Sequence, residues 1–362
     1  MAKNNDRDEN IPFGLTFDDV LLEPRESNVI RNSVDLSTQL TKKIRLQIPI
    51  ISAAMDTVSG PEMAIALGKL GGMAILHRSC TIQQEADWVK EVKKHNVLVG
   101  AAVGPGDLER ALAMDKAGAD VIVVDTAHAH NLWAVKSAKE IKKKIKAQLI
   151  VGNVATREAA LLLSTFADGI KVGIGPGSIC TTRIVAGIGV PQLTAIMNVA
   201  KVAAKKKVPV IADGGIKFSG DAVKALAAGA STVMLGGLLA GTKEAPGKLS
   251  KKGGKWVKTY RGMGSLGVMK LNESADRYFQ KDSKNYVPEG IEGVVAYKGE
   301  LADVLFQITG GIKSGMGYIG AKTIAEMPKQ ARFIRITNAG LQESHPHNIT
   351  IDKYSPNYPG SG

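Results

Sequence analysis

The sequence predicts an α/β protein closed into a (β/α)8 barrel, a TIM barrel, with a long flap insertion after the eighth strand. Three observations predict it. Short, largely apolar β-like runs recur at 48–53, 73–76, 98–103, 121–124, 149–151, 170–172, 208–212 and 232–235. Strands of that kind are buried on both faces, as in a parallel sheet covered by helices. Stretches with helical apolar spacing separate most of them, at 61–70, 108–117, 132–145, 157–166, 192–206 and 220–228. Polar residues gather just after the runs, where a barrel carries its chemistry. An open doubly wound sheet is the alternative. It would want Gly-x-Gly-x-x-Gly after an early strand and an acid about 20 residues on, and that pair is not found.

Composition agrees with an enzyme of this class. Hydrophobic residues are 44% of 362, aromatics 5%, and glycine is frequent at 40, which suits many tight strand-to-helix loops. Cys80 and Cys180 are the two cysteines, too few for a disulfide scaffold. With no basic-then-apolar leader and no apolar stretch of the roughly 20 residues a membrane helix needs, a reducing cytoplasm is expected. The net charge of +13 fits anionic metabolites as well as nucleic acid. The lysines at 142–146 and 205–207 fall near helix ends, where cations suit the dipole, and no stacking aromatics interleave them.

In chain order, residues 1–10 are polar and read as a loose arm, and 14–24 looks ordered, with Pro24 ending it. Ala53-Ala-Met-Asp56, including Met55, follows the first run, and His77-Arg78 the second. Asp125-Thr-Ala-His-Ala-His130 follows the fourth, and Asn153 the fifth. Gly173 to Arg183 follow the sixth, Asp213-Gly-Gly-Ile216 the seventh, and Gly236-Gly237 the eighth. From 249 to 295 periodicity fades, and Gly, Lys, Ser and Asp dominate; a loop this long inside a compact domain is usually functional, and we expect a mobile flap. Helical character resumes at 304–312. Residues 332–362 read as an extended tail that frays at its end. The whole chain, 1–362, is expected to be one catalytic barrel domain.

Three chemistries follow from the residues. Phosphate is suited to the loops after the seventh and eighth strands, with Ser178 and Tyr260 as hydroxyl donors. Cys180 lies on a glycine-rich loop among hydroxyls rather than in an apolar pattern, the setting of a nucleophile; Cys80 lacks that setting. A monovalent cation suits the same loop, because carbonyls alone can hold it. His128-Ala-His130 and His345-Pro-His347 have no acid or thiol at metal spacing, which disfavours zinc.

With those motifs in view, the chain resembles the inosine 5′-monophosphate dehydrogenase family. The likeness runs from Gly14-Leu-Thr-Phe-Asp-Asp-Val-Leu-Leu22 to Glu343-Ser-His-Pro-His347, through Gly173–Thr182, Ile211-Ala-Asp-Gly-Gly-Ile216, Tyr260–Leu266 and Asp276-Arg-Tyr-Phe279. The resemblance implies a tetrameric barrel enzyme that oxidises IMP to XMP with NAD, through a covalent thioimidate on Cys180. It implies that the flap moves into the vacated nicotinamide site and that Arg277, helped by Tyr278, activates water. Thr182 with Glu289 is the other route. Arginine is a poor base at its ordinary pKa, so that role needs a special environment. By the same likeness, Ser178, Asp213, Gly215, Gly236, Gly237 and Tyr260 hold the IMP phosphate and ribose. Met263, Gly264 and Glu289 face the base, and Met55 is a further substrate contact. Asp125 and Asn153 lie beside the nicotinamide ribose and the substrate, and Thr126 is a further cofactor contact. Ala127 and His128 face the adenine, with Pro24, Ser314 and Tyr318 reaching it from the next subunit. Carbonyls of Gly175, Gly177 and Cys180 would hold potassium, joined by Glu343, Ser344 and His345 of a neighbour.

Three departures stand out. The family's paired CBS modules have no room, since 88–94 runs almost directly into 97–104. Gly237 replaces the family's serine, removing one phosphate hydroxyl, and Ala129 replaces a common glycine. GMP reductase shares the barrel and cysteine loop, but Asp276-Arg-Tyr-Phe279 and Glu289-Gly290 match the dehydrogenase and serve water activation. A non-catalytic nucleic-acid-binding barrel would want a contiguous basic face with stacking aromatics, and the lysines are scattered instead. No membrane partner is expected, and no nucleic acid is required.

Overall fold

A computed structural model describes residues 11–270, 275–278, 280, 285–353 and 355–358. The expected arm at 1–10, the frayed end at 359–362 and Phe279 lie outside the described residues.

Eight parallel strands close into a barrel in chain order: β1 (Ile50–Ser52), β2 (Met73–Leu76), β3 (Val99–Val103), β4 (Val121–Asp125), β5 (Gln148–Val154), β6 (Gly169–Val172), β7 (Val210–Asp213) and β8 (Thr232–Leu235). Closure is made by β8 on β1, with Leu235 opposite Ser52. Each strand falls within or against one of the apolar runs read from the sequence. Alternate residues explain why those runs have no polar face. Ile51, Met73, Ile75, Val121, Val123 and Ile211 fill the barrel interior, while Ile50, Ala74, Leu76, Ile122 and Val124 pack under the helices. Complete burial of a side chain such as Ile51 contributes about 1.5–3 kcal/mol. The hairpin of Thr38–Gln39 with Arg45–Leu46 plugs the N-terminal mouth, placing Leu40 and Leu46 in the interior cluster.

The outer ring is α1 (Pro61–Lys69), α2 (Ile82–Lys93), α3 (Leu108–Ala117), α4 (Leu132–Lys144), α5 (Arg157–Leu163), α6 (Gln192–Ala203), α7 (Ser219–Ala227) and α8 (Leu301–Ile319). Thr81, Asp107, Asn131 and Thr156 cap the starts of α2 to α5 by accepting from backbone amides of the first turn. Helices run antiparallel to the strands, so their lysine-rich ends lie at the barrel's N-terminal face, and the loops that start them lie at the other.

Three expectations need correction. The 249–295 insertion is not all loop: Leu249–Lys252, Lys255–Arg261 and Glu292–Ala296 form a three-stranded antiparallel sheet between β8 and α8. Most of its side chains are exposed, and lysines interrupt its first two strands, so only 293–297 is an apolar run. The tail is not simply extended, because Phe333–Arg335 pairs with Val20–Leu22 and Thr337 caps a helix at Asn338–Glu343. Asn153 lies within β5 rather than past it, and Asp125 and Asp213 are the last residues of their strands. Among the described residues, no helix is long and apolar enough to cross a membrane.

Candidate active site

At the C-terminal mouth of the barrel lies a cavity of about 740 Å³, lined by the ends of the strands, the loop after β6 and the flap. That volume lies in the range of small-molecule sites. Most residues singled out from the sequence line it, from Met55 and Asn153 through Ser178 and Cys180 to Gly215, Met263 and Glu289.

The loop after β6 turns through Gly173 and Gly175, both at positive φ, which favours glycine. The Arg183 stem lies across Gly175, where a Cβ would come within 2.6 Å, and its guanidinium donates to the carbonyls of Ile174 and Val190. Held this way, the loop presents the half-buried Cys180. Its thiol donates to Thr182 Oγ1 at 3.3 Å, and the Thr182 hydroxyl donates to Glu289 Oε2 at 2.6 Å. This is a continuous donor chain from sulfur to carboxylate. The flap fixes its far end: Thr181 N donates to Glu289 O at 3.0 Å, and Ile291 N to Ile179 O at 2.9 Å.

Opposite, three strand ends share one ammonium. Lys171, on β6, is 3% exposed and donates to Asp125 Oδ1 at 2.9 Å, to Asp213 Oδ2 at 2.7 Å and to Asn153 Oδ1. Asn153 Nδ2 also donates to Asp213 Oδ2 at 3.0 Å. A lysine this buried requires such partners. The sequence reading missed Lys171 as a site residue. The available signal was a cation inside an otherwise apolar strand. Gln192 was missed as well; its amide donates to the carbonyls of Val172 and Asp213 at 3.0 Å and ties β6 to β7.

Gly236 and Gly237 lie against Tyr260, Gly237 also beside Ser178 Oγ, and Gly215, next to Pro176, lines the same cavity. Tyr260 bonds to Ser178, and burial pushes its hydroxyl up to about 12, so it stays a neutral donor. Arg261 donates to Asp56 Oδ2, pinning the flap sheet to the loop after β1.

On the other side, the turn Ala275–Tyr278 is docked on the loop after β4. Arg277 pairs with Asp125, and its carbonyl accepts from Ala127 N at 3.1 Å and Thr126 Oγ1 at 3.2 Å. Burial lowers the Arg277 guanidinium from its usual range. Burial raises Tyr278, against the pull of Arg277 beside it. The Tyr278 ring crowds Gly264, where a Cβ would lie 2.6 Å from its hydroxyl. Before Arg277, Asp276 accepts two hydrogen bonds from Arg78.

Other predicted residues lie apart. His128 is outside the cavity lining, edge-on to His130 at 6.2 Å. Tyr318 is 71% exposed on α8, its carbonyl accepting from Arg25 N at 2.9 Å beside Pro24. Ser314 is on the same helix. Glu343 ends the tail helix, with Ser344 as its cap. His345 packs on Phe218 and Tyr358 of its own chain. None of these lines the cavity.

A family model described as IMP dehydrogenase / GMP reductase domain matches residues 14–347. The inosine-5′-monophosphate dehydrogenase of Cryptosporidium parvum is 46% identical over 396 residues, covering 97% of this chain and 99% of the relative. That of Aquifex aeolicus is 41% identical over 483 residues, at 97% and 99% coverage, and that of Helicobacter pylori 40% over 475 residues, at 96% and 98%. The Aquifex alignment, at 483 residues, exceeds the 362 of this chain, so that relative carries a segment with no counterpart here. With the barrel, the cysteine loop and these matches together, the chain belongs to the IMP dehydrogenase / GMP reductase family.

Proposed function

We propose that the chain is an IMP dehydrogenase, oxidising IMP to XMP with NAD through a covalent adduct on Cys180. The observation that carries this reading is the chain Cys180–Thr182–Glu289 in a cavity that Ser178, Tyr260, Gly215 and Gly236 also line. The relatives' names support the same substrate.

The phosphate and ribose of IMP sit against the glycine loops, Ser178, Tyr260 and Asp213, which fixes the purine over the thiol. Met55, Met263, Gly264 and Glu289 face the base, and Asn153 lies between it and the cofactor. The Cys180 thiolate adds to C2 of the base, and a hydride leaves C2, so the ring is oxidised and a thioimidate remains. NAD supplies the hydride acceptor. The residues fit it: Asp125 offers a carboxylate to a ribose diol, with Thr126, Ala127 and His128 leading outward. Arg277 holds Asp125 in the docked flap, so a cofactor ribose that took this carboxylate would require the turn Ala275–Tyr278 to move aside. Water then attacks C2, the C2–S bond breaks, and XMP leaves. The desolvated Arg277 with Tyr278, or Thr182 with Glu289, takes the water's proton.

Oxygen ligands suit potassium, and the loop offers the carbonyls of Gly175, Gly177 and Cys180. The Gly177 carbonyl also accepts from Cys180 N at 3.0 Å, leaving a second lone pair for a cation. Glu343, Ser344 and His345, and separately Pro24, Ser314 and Tyr318, would act across the contacts of a homotetramer. The chain is a single catalytic domain with 249–295 as its flap and 332–362 as its tail, and it holds no CBS modules between α2 and β3.

Incubation with IMP, NAD and potassium should form NADH and XMP in equal amounts, with less of both when potassium is omitted. Consumption of NADPH with GMP, and no reaction with IMP, would instead select the reductase reading.

A further inference from the structure

The contact between the flap turn and the loop after β2 lies outside the cavity lining and has no part in the chemistry above. Arg78 Nη2 donates to Asp276 Oδ1 at 2.8 Å and Nη1 to Asp276 Oδ2 at 3.0 Å, a two-pronged pair. The side chains are only 10% and 18% exposed, so water screens the pair weakly. Beside it, β3 ends and Gly104 follows. A Cβ at Gly104 would lie 2.2 Å from Asp276 Oδ2 and 3.1 Å from Arg78 Nη1. The carboxylate therefore sits in a notch that any side chain at 104 would fill. The next residue, Arg277, is the one paired with Asp125.

The geometry points to Arg78 as a positioning residue: with the notch at Gly104 it holds Asp276, and so keeps the turn carrying Arg277 and Tyr278 docked over Asp125. This rests on the proposed function. Hydride transfer needs the turn away, and hydrolysis needs it docked. A weakened latch therefore spares the first step and slows the second. It also tightens apparent NAD binding, because a competitor for the same place is docked a smaller fraction of the time.

The test uses the full chain with Arg78→Met, Asp276→Asn and Gly104→Ala, the last breaking the latch by bulk rather than charge. IMP and NAD are mixed rapidly, NADH is followed optically, and the Cys180 adduct is followed by mass spectrometry of quenched samples. Loss of a charged two-pronged bond should shift the docking equilibrium about ten- to a hundredfold. Each variant should form NADH in the first turnover at the unaltered rate. Each should then accumulate adduct, hydrolyse it about tenfold or more slowly, and show a lower KM for NAD. Arg78→Met with Asp276→Asn should be no slower than the slower single variant, since both remove one interaction. Hydrolysis at the unaltered rate, equal slowing of both steps, or additive effects in the double variant would overturn the latch. A wild-type chain that makes no NADH from IMP would sink the parent reading instead, and the latch with it.

Discussion

Gly237→Ser is the substitution through which the phosphate end can be tested by gain rather than loss. Gly237 is the first residue of the short helix Gly237–Ala240, and its φ is not in the left-handed region. A Cβ there would meet Tyr260 Cε1 at 3.5 Å, Ser178 Oγ at 3.6 Å and the Tyr260 hydroxyl at 3.7 Å, all ordinary contacts. A serine fits without displacing a neighbour and adds a third hydroxyl beside the two already present. A hydrogen bond to a charged group contributes about 1.5–3 kcal/mol, and a solvated phosphate argues for the low end. About 1.4 kcal/mol is tenfold, so the Kd for IMP should fall about tenfold. The assay is calorimetric titration of IMP into Cys180→Ala protein, which binds without turning over. Gly237→Ala is the control, because it shares any gain from replacing glycine in a helix, up to about 1 kcal/mol in stability. Equal affinities for the serine and alanine variants would refute the reasoning. So would weaker binding in both.

Other perturbations test other parts of the site. Lys171→Met leaves Asp125 and Asp213 buried without their shared cation; it should cost about 3–5 kcal/mol of stability and raise the KM of both IMP and NAD, measured by denaturant unfolding and steady-state kinetics. Arg277→Ala should slow adduct hydrolysis far more than hydride transfer, seen as an NADH burst with adduct accumulating; equal slowing would contradict the division of labour. Glu85 is buried against Arg110, with Oε1 unpartnered among the described residues, and burial raises its pKa from 4.5 to about 8. A raised folded pKa means stability that is full below the ordinary carboxylate range and is lost as pH rises through about 8. The melting temperature of Glu85→Gln should therefore gain on wild type as pH rises from about 5 to about 8, whereas a constant difference would show that Glu85 does not titrate there.

The barrel was legible because its strands are buried twice over. Ile50 and Ile51 face different cores, so the run they belong to shows no polar alternation and stands out against amphipathic helices. The cysteine loop was legible because glycines and hydroxyls surround a thiol. The flap sheet was not, since Lys251, Lys252 and Lys255 keep its edge in water and erase periodicity, although Gly253-Gly254 is a hairpin signal that could have been read. Lys171 was hidden by being counted as part of an apolar strand, and the Arg78–Asp276 pair joins positions 198 residues apart, which no local pattern reports.

The central claim is a covalent bond between Cys180 and the purine, and mass spectrometry of protein quenched in acid during turnover addresses it directly. With IMP and NAD present, the peptide containing Cys180 should gain the mass of IMP less two hydrogens, and Cys180→Ala should gain nothing while still binding IMP. An unmodified Cys180 in wild-type protein that is actively forming NADH would contradict the account.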